Sequence, residues 1–178
     1  MVWWISIFLA ASGLVASAAV HVVALCGVDV QSRWPSIWLL HILLFLPMIG
    51  AIVTSKAADR RLGKSESFAF QPRWMRLAMY IAFVYGAFNF IYFGIREDGT
   101  PTHDQEGTYS LRNHGRLIRT ISEQEYHAQW ALHARGMSGH WMLFNFLAIG
   151  ILVSTRSRLA QRPRGRRAVR VEITDSPP

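Results

Sequence analysis

Cysteine is almost missing from this sequence, which has Cys26 as its only thiol in 178 residues. An intramolecular disulfide is therefore excluded. Lipid attachment at this position is also excluded, because Leu25 stands where lipoprotein processing requires a small residue. We interpret Cys26 as a small apolar residue near the end of a helix.

Catalytic signatures are missing as well. The sequence has no HExxH, CxxC or CxxCH motif, no glycine-rich loop that would cradle a phosphate, and no nucleophile with an evident base. An enzymatic function therefore lacks its usual support. We expect a protein that is not an enzyme.

Charge is scarce in four long apolar blocks, which span residues 3–25, 36–55, 74–95 and 137–155, and Arg76 is the only formally charged residue within them. Each block has about 19 to 23 residues, which at ~1.5 Å per residue matches the ~30 Å hydrocarbon core of a bilayer. We predict an all-α membrane protein built as a four-transmembrane-helix bundle in the lipid bilayer.

A cleaved signal peptide is the alternative for the first block, because Ala16-Ser17-Ala18 resembles a small-residue cleavage site. However, no basic residue precedes the block, and its apolar character continues to Leu25. We therefore expect an uncleaved helix. Cleavage would leave the predicted orientation unchanged, since a signal peptide also enters with its N-terminus inside.

The net charge of +8 is unevenly distributed along the chain. Basic residues gather between the second and third blocks and after the fourth: Lys56, Arg60, Arg61, Lys64, Arg73 and Arg76, then seven arginines from Arg156 to Arg170. In membrane proteins the segments that flank the helices on the cytoplasmic side carry an excess of Lys and Arg. Both termini are therefore predicted to be cytoplasmic and residues 96–136 extracytoplasmic. This distribution favours anionic lipid, not nucleic acid, as the partner of the basic residues.

Residues 156–178 lack hydrophobic periodicity and are predicted to form a disordered basic tail on the cytoplasmic side.

The polar segment 96–136 is predicted to form an extracytoplasmic cap. Alternating runs around Asn113-His114-Gly115 predict a β-hairpin, and Ser122 with Glu125 predict a capping box for a short helix that Gly136 ends. These elements are too small to be stable alone, so the cap should dock on the bundle and be available to a membrane-protein partner.

Local patterns predict how the helices pack. Small residues at Gly13 and Ser17 lie on the face of His21, which should therefore point into the bundle. Pro47 removes a backbone donor from the second block and predicts a kink there. On the third block, side chains spaced by four and three form a polar strip: Tyr85, Asn89 and Tyr92.

One polar residue from each block falls at a similar depth in the predicted bundle. The four lie roughly 5 to 9 Å inside the outer boundary, at ~1.5 Å per residue. They are His21, His41, Asn89 and His140. Ionisable residues inside a membrane are functional-site candidates, so these four are the candidate cofactor-binding set.

Several chemistries fit this set. His21, His41 and His140 could together hold Zn²⁺ or Cu²⁺ as a divalent metal site, or two of them could ligate a haem iron from both sides. A proton relay and a quinone headgroup site are further alternatives. The structural alternative is that each histidine hydrogen-bonds a neighbouring carbonyl and helps to pack helices.

The run YSLRNHGRLIRTISEQEY followed by RGMSGHWM resembles segments of uncharacterised small bacterial multi-pass inner-membrane proteins, in which a hairpin and a short helix precede the last span. The resemblance implies a bacterial cytoplasmic membrane and no particular activity. The favoured function is an accessory or interaction subunit. The competing class is a haem- or metal-binding membrane protein, redox or quinone-linked, that uses the histidines.

Overall fold

The computed structural model describes residues 1–63 and 70–172, with side chains described through Gln161. The helices are α1 (Val2–Leu25), α2 (Val30–Arg33), α3 (Leu39–Leu43), α4 (Phe45–Leu62), α5 (Arg73–Arg96) and α6 (Glu123–Glu172), with a 3₁₀ helix at Pro35–Trp38. The strands are β1 (Thr100–His103), β2 (Tyr109–Asn113) and β3 (Arg116–Thr120). The sheet therefore lies between α5 and α6, within the segment that the sequence predicts to be a cap.

Among the described residues, four helical stretches are long and apolar enough to cross a membrane: Val2–Leu25, Pro35–Leu62, Arg73–Arg96 and Glu123–Gln161. Each contains one of the four apolar blocks of the sequence. The number and order of the long apolar helices therefore agree with the sequence prediction.

The second of these stretches is interrupted at Leu44, between α3 and α4. Pro47 lacks the N–H that the carbonyl of Leu43 would accept in a regular helix. The break therefore lies where the proline weakens the hydrogen-bond ladder. The break at Leu44 agrees with the interruption expected from Pro47, and the kink itself stays a prediction.

α6 is the centre of the bundle, since α1, α4 and α5 all pack against it. Small side chains line these contacts, and Ala10, Ala51 and Ala148 belong to one fully buried cluster. A methyl group on Gly13 would lie 2.8 Å from Asn145 Oδ1, so α1 and α6 approach closely. Small residues allow this approach, which gives helices in lipid their van der Waals contact.

The cap contains a three-stranded antiparallel sheet in the order β1-β2-β3, not only the two-stranded hairpin that the sequence predicts. β2 and β3 form that hairpin, with His114 (φ 49°) and Gly115 (φ 81°) in its turn. β1 adds to it through pairs such as Thr102 with Ser110, whose hydroxyl oxygens lie 2.9 Å apart. β1 escapes prediction because it is short, contains Pro101 and lies among turn formers.

The short helix predicted in the cap is the first part of α6, which continues without a break into the last apolar stretch. Gly136 therefore does not end a helix, and that prediction is wrong. A methyl group there would lie 2.7 Å from the ring of Phe93, so the glycine serves close packing of α5 against α6. At the start of α6, Ser122 Oγ accepts from the backbone N–H of Glu125 at 3.2 Å, while the Glu125 carboxylate binds Arg119.

The basic C-terminal segment begins as helix, because α6 extends to Glu172. The predicted disorder therefore differs from the structure over 156–172, and residues 173–178 lie outside the described residues. Arg158 gives the physical reason. Its side chain is 3% exposed and donates to Asp59 Oδ1 at 2.8 Å, which ties this part of α6 to α4.

Candidate functional site

His21 lies between three helices and is 3% exposed. Its Nδ1 is 2.9 Å from Ser138 Oγ on α6, and its Nε2 hydrogen-bonds the hydroxyl of Tyr85 on α5. The His21 and Tyr85 rings meet edge to face with centroids 5.6 Å apart. The prediction that His21 points into the bundle is confirmed. We call His21, Tyr85 and Ser138 the His21 network.

The directions of these hydrogen bonds follow from Ser138, whose hydroxyl donates to the carbonyl of Arg135 at 3.1 Å. Since that hydroxyl has one hydrogen, Ser138 Oγ accepts from Nδ1–H of His21. In the neutral ring Nε2 is then the acceptor, and the Tyr85 hydroxyl donates to it. The Tyr85 oxygen keeps lone pairs for one further donor.

Tyr85 brings the His21 network to the surface, because its side chain is 37% exposed. It lines an apolar groove of about 350 Å³ between α1, α5 and α6. The other walls are apolar and include Leu14, Ile81, Met142 and Phe146. Such an arrangement suits a ligand with an apolar body and one hydrogen-bonding group.

The other two candidate histidines have partners of their own. Trp141 Nε1 donates to His41 Nδ1 at 3.0 Å, and His140 Nδ1 donates to the carbonyl of Gly136 at 2.9 Å. The three imidazoles of the candidate metal set, that of His21 included, therefore bond to different groups. In the part of the chain that the structure describes, no three His, Cys, Asp or Glu side chains are grouped as metal ligands.

Asn89 holds α5 against α6. It is 1% exposed, and its Nδ2 donates to the carbonyls of Arg135 and Gly136 at 3.3 Å each. Gly139 leaves the space that the Asn89 amide occupies. Asn89 is close to the His21 network, since Ser138 donates to the same Arg135 carbonyl. Its role is therefore one of positioning α6 beside that network.

A second polar cluster lies where the helices meet the sheet, a region we call the sheet end. Asp29 Oδ2 lies 2.7 Å from His127 Nδ1, and Asp29 Oδ1 accepts from the backbone N–H of Ser32 at 2.8 Å as the N-cap of α2. Burial disfavours the charged carboxylate, but the hydrogen bonds from Ser32 and His127 outweigh it, so the pKa of Asp29 is lowered.

The sheet end also contains a run of aromatic rings that sequence reasoning missed. Tyr109 on β2 packs on Tyr126 of α6 with centroids 4.9 Å apart, and Trp130 packs on His133 at 5.5 Å. His133 Nε2 lies 3.4 Å from Glu97 Oε1. The available signal was the aromatic spacing along α6, but its partners on β2 and α5 come from tertiary structure.

Comparison with known proteins adds no family: no family model, curated protein or solved structure matches this chain. Two features are informative, the fully exposed strand β3 of the cap and the His21 network beside its apolar groove. The first is suited to binding a protein segment, and the second to binding a small apolar molecule.

Proposed function

We propose that the chain is a multi-pass membrane protein that acts as an accessory or interaction subunit, and that its cap (96–136) binds the partner. In this proposal the membrane is a bacterial inner membrane and both termini are cytoplasmic. The cap is extracytoplasmic, and the basic segment after residue 155 rests on anionic lipid. The apolar stretches and the distribution of arginines support this arrangement.

The observation that carries the proposal is the exposure of β3. All five of its residues are exposed, and two are large and apolar, Leu117 at 52% and Ile118 at 47%. β3 is an edge of the sheet, paired with β2 on one side. An exposed apolar edge strand invites pairing with another strand. The partner we propose is an extended segment that adds to this edge, a common mode of peptide recognition.

Photo-crosslinking in native membranes tests this. A photoreactive residue at Leu117 should give one discrete crosslinked product, and the same residue at Glu106, an exposed turn position of the cap, should give none. The double variant L117K/I118K should lose the partner while keeping the helical circular dichroism signal. Equal products from positions 117 and 106, or the absence of a product from both, would overturn the role of β3.

The orientation has its own test, because the cap must face the compartment of its partner. Reporter fusions after Ser110 and at the C-terminus should report opposite sides of the membrane. A fusion after Ser110 that reports the cytoplasm would contradict the extracytoplasmic cap. It would leave the binding role of β3 open to the crosslinking experiment.

A second candidate function is a redox or quinone-linked membrane protein. The His21 network favours it, because the Tyr85 oxygen at the wall of an apolar groove can accept a hydrogen bond from the hydroxyl of a quinol, the reduced form of the quinone. Protein purified in mild detergent should then carry quinone on solvent extraction, and Y85F should carry less with unchanged helical content. A Soret band would instead establish haem, elemental analysis would detect a bound metal, and a preparation with none of these would exclude the class.

A further inference from the structure

A polar cavity of about 490 Å³ opens at the sheet end, between the last turns of α1 and α5 and the first part of α6. Arg96, Arg135, Tyr92 and Asp98 are among its lining residues. We call it the arginine cavity. It is separate from the apolar groove, which contacts the His21 network through Tyr85.

Two guanidinium groups share one aromatic ring in this cavity. Arg135 Cζ lies 4.2 Å from the centroid of the Tyr92 ring, and Arg96 Cζ lies 5.7 Å from it. Both contacts place a cation against an electron-rich ring. They also bring two positive charges to the same small volume, where each disfavours the other unless an anion is present.

The described carboxylates do not pair with these two charges. Within residues 1–63 and 70–161, whose side chains the structure describes, neither Arg96 nor Arg135 has a carboxylate within ion-pair distance. Asp98 lines the cavity but lies 3.8 Å from Arg119. Arg135 Nε is buried without a hydrogen-bond partner in the same residues. A partly buried, unpaired guanidinium is costly, so the site is complete only with an acceptor.

The arginine cavity lies where α1 ends at Leu25 and α5 ends at Arg96. In the proposed membrane protein these helix ends mark one boundary of the hydrocarbon core, the depth of lipid phosphate groups. Guanidinium groups bind phosphate oxygens through paired N–H donors. The cavity lies at this depth whichever side of the membrane the cap faces.

We propose that the arginine cavity binds a phosphate-bearing anion through Arg135 and Arg96. A phospholipid headgroup and free inorganic phosphate share this chemistry. The lipid source rests on the proposed membrane location, whereas the anion site itself does not. Neither depends on β3 or on the partner of the cap.

The test uses the full chain purified in an uncharged detergent, with thermal unfolding as the readout. The probes are dihexanoyl phosphatidylglycerol, inorganic phosphate and uncharged dihexanoylglycerol. The phosphatidylglycerol should raise the unfolding temperature in a saturable manner, and dihexanoylglycerol should not. R135Q should weaken the apparent affinity about tenfold or more, as expected for a lost charge-assisted hydrogen bond. R96Q should weaken it less, because Arg96 is exposed.

Arg33 provides the matched control, since it is an exposed arginine outside the cavity. R33Q should bind like the unmodified chain. If R135Q does not fold, R135K and R96Q keep the test decisive, because loss of the guanidinium fork at either position should still lower affinity. Binding of inorganic phosphate alone would support the site and assign it a free anion. Equal stabilisation by dihexanoylglycerol, or unchanged affinity in R135K and R96Q, would overturn the proposal, while crosslinking through β3 would be unaffected.

Discussion

α5 and α6 are both long and apolar, yet they occupy opposite positions in the fold. In their most apolar windows, 44% of the last stretch is buried but only 6% of α5. α5 packs on α6, whereas α6 contacts α1, α4 and α5. The difference is that α6 carries small and polar residues on its packed faces, while α5 exposes large aromatic ones. Apolar character therefore identifies the helices that are long and apolar enough to span a membrane, and small or polar residues identify the central one.

The largest expected difference in the free energy of unfolding is between substitutions of one aromatic residue from each helix. Trp141 of α6 is 1% exposed and donates to His41, whereas Phe83 of α5 is 64% exposed. W141A should lower the free energy of unfolding by about 3 to 5 kcal/mol, because it leaves a cavity and an unpaired His41. F83A should change it by less than about 0.5 kcal/mol. Unfolding by SDS in mixed micelles, followed by circular dichroism, measures both.

Equal destabilisation by W141A and F83A would break the comparison. It would mean that the exposed face of α5 is covered in the folded protein, for example by a second chain. Cross-linking of F83A and the unmodified chain in the same detergent would then show whether the covered face belongs to an oligomer.

The next largest difference in the free energy of unfolding is expected between substitutions of two arginines. Arg158 of α6 is buried and bound to Asp59, while Arg76 of α5 is exposed. R158Q should lower the free energy of unfolding by about 2 to 3 kcal/mol, because it breaks an ion pair whose arginine is buried and leaves the half-buried Asp59 without this partner. R76Q should have little effect on the same measurement. An unaffected R158Q protein would show that α6 does not depend on its contact with α4 at this end.

Two glycines should respond with opposite signs. A methyl group at Gly139 of α6 would overlap the buried Asn89 amide, whereas one at Gly94 of α5 meets nothing within 4 Å. G139A should destabilise by about 1 kcal/mol, because Asn89 must give up its hydrogen bonds to α6. G94A should stabilise by up to about 1 kcal/mol through helix propensity. Thermal unfolding in detergent compares them, and a stabilising G139A would refute the close contact.

The smallest effect concerns pH and Asp29, which joins α2 to α6 through His127. Its lowered pKa means that the carboxylate contributes stability fully above about pH 4, and that this contribution is lost as pH falls through the folded-state pKa. D29N keeps the N-cap but loses the charge, so its cost should be below about 1 kcal/mol. The difference between the unfolding temperatures of the two proteins should be full at pH 6 and should shrink progressively as the pH falls below about 4. A constant difference would exclude ionisation as its source.

The sequence predicts the features that lie along a helix axis. The apolar blocks, the interruption caused by Pro47 and the inward face of His21 all follow from composition and spacing. Each of these features depends on residues within a single apolar block. They are therefore readable without knowledge of the tertiary structure.

The sequence does not predict which side chains meet across helices. Position along each apolar block predicts that His21, His41 and His140 lie at a similar depth. The rotation of each helix about its own axis decides which side chains these histidines contact. His41 meets Trp141, 100 residues away, and His21 meets Tyr85, 64 residues away. The prediction that Gly136 ends a helix is wrong for the same reason: the Phe93 ring that this glycine accommodates belongs to another helix, α5.

The unbroken course of α6 from Glu123 to Gln161 has a mechanical consequence. At about 1.5 Å per residue these 39 residues form a rod roughly 60 Å long, with the sheet at one end and the Arg158–Asp59 pair near the other. A stiff rod transmits a tilt imposed at one end to the other. If a partner strand adds to β3 as proposed, a tilt that it imposes on α6 would move the basic segment at the other end of the helix without any change in helix content.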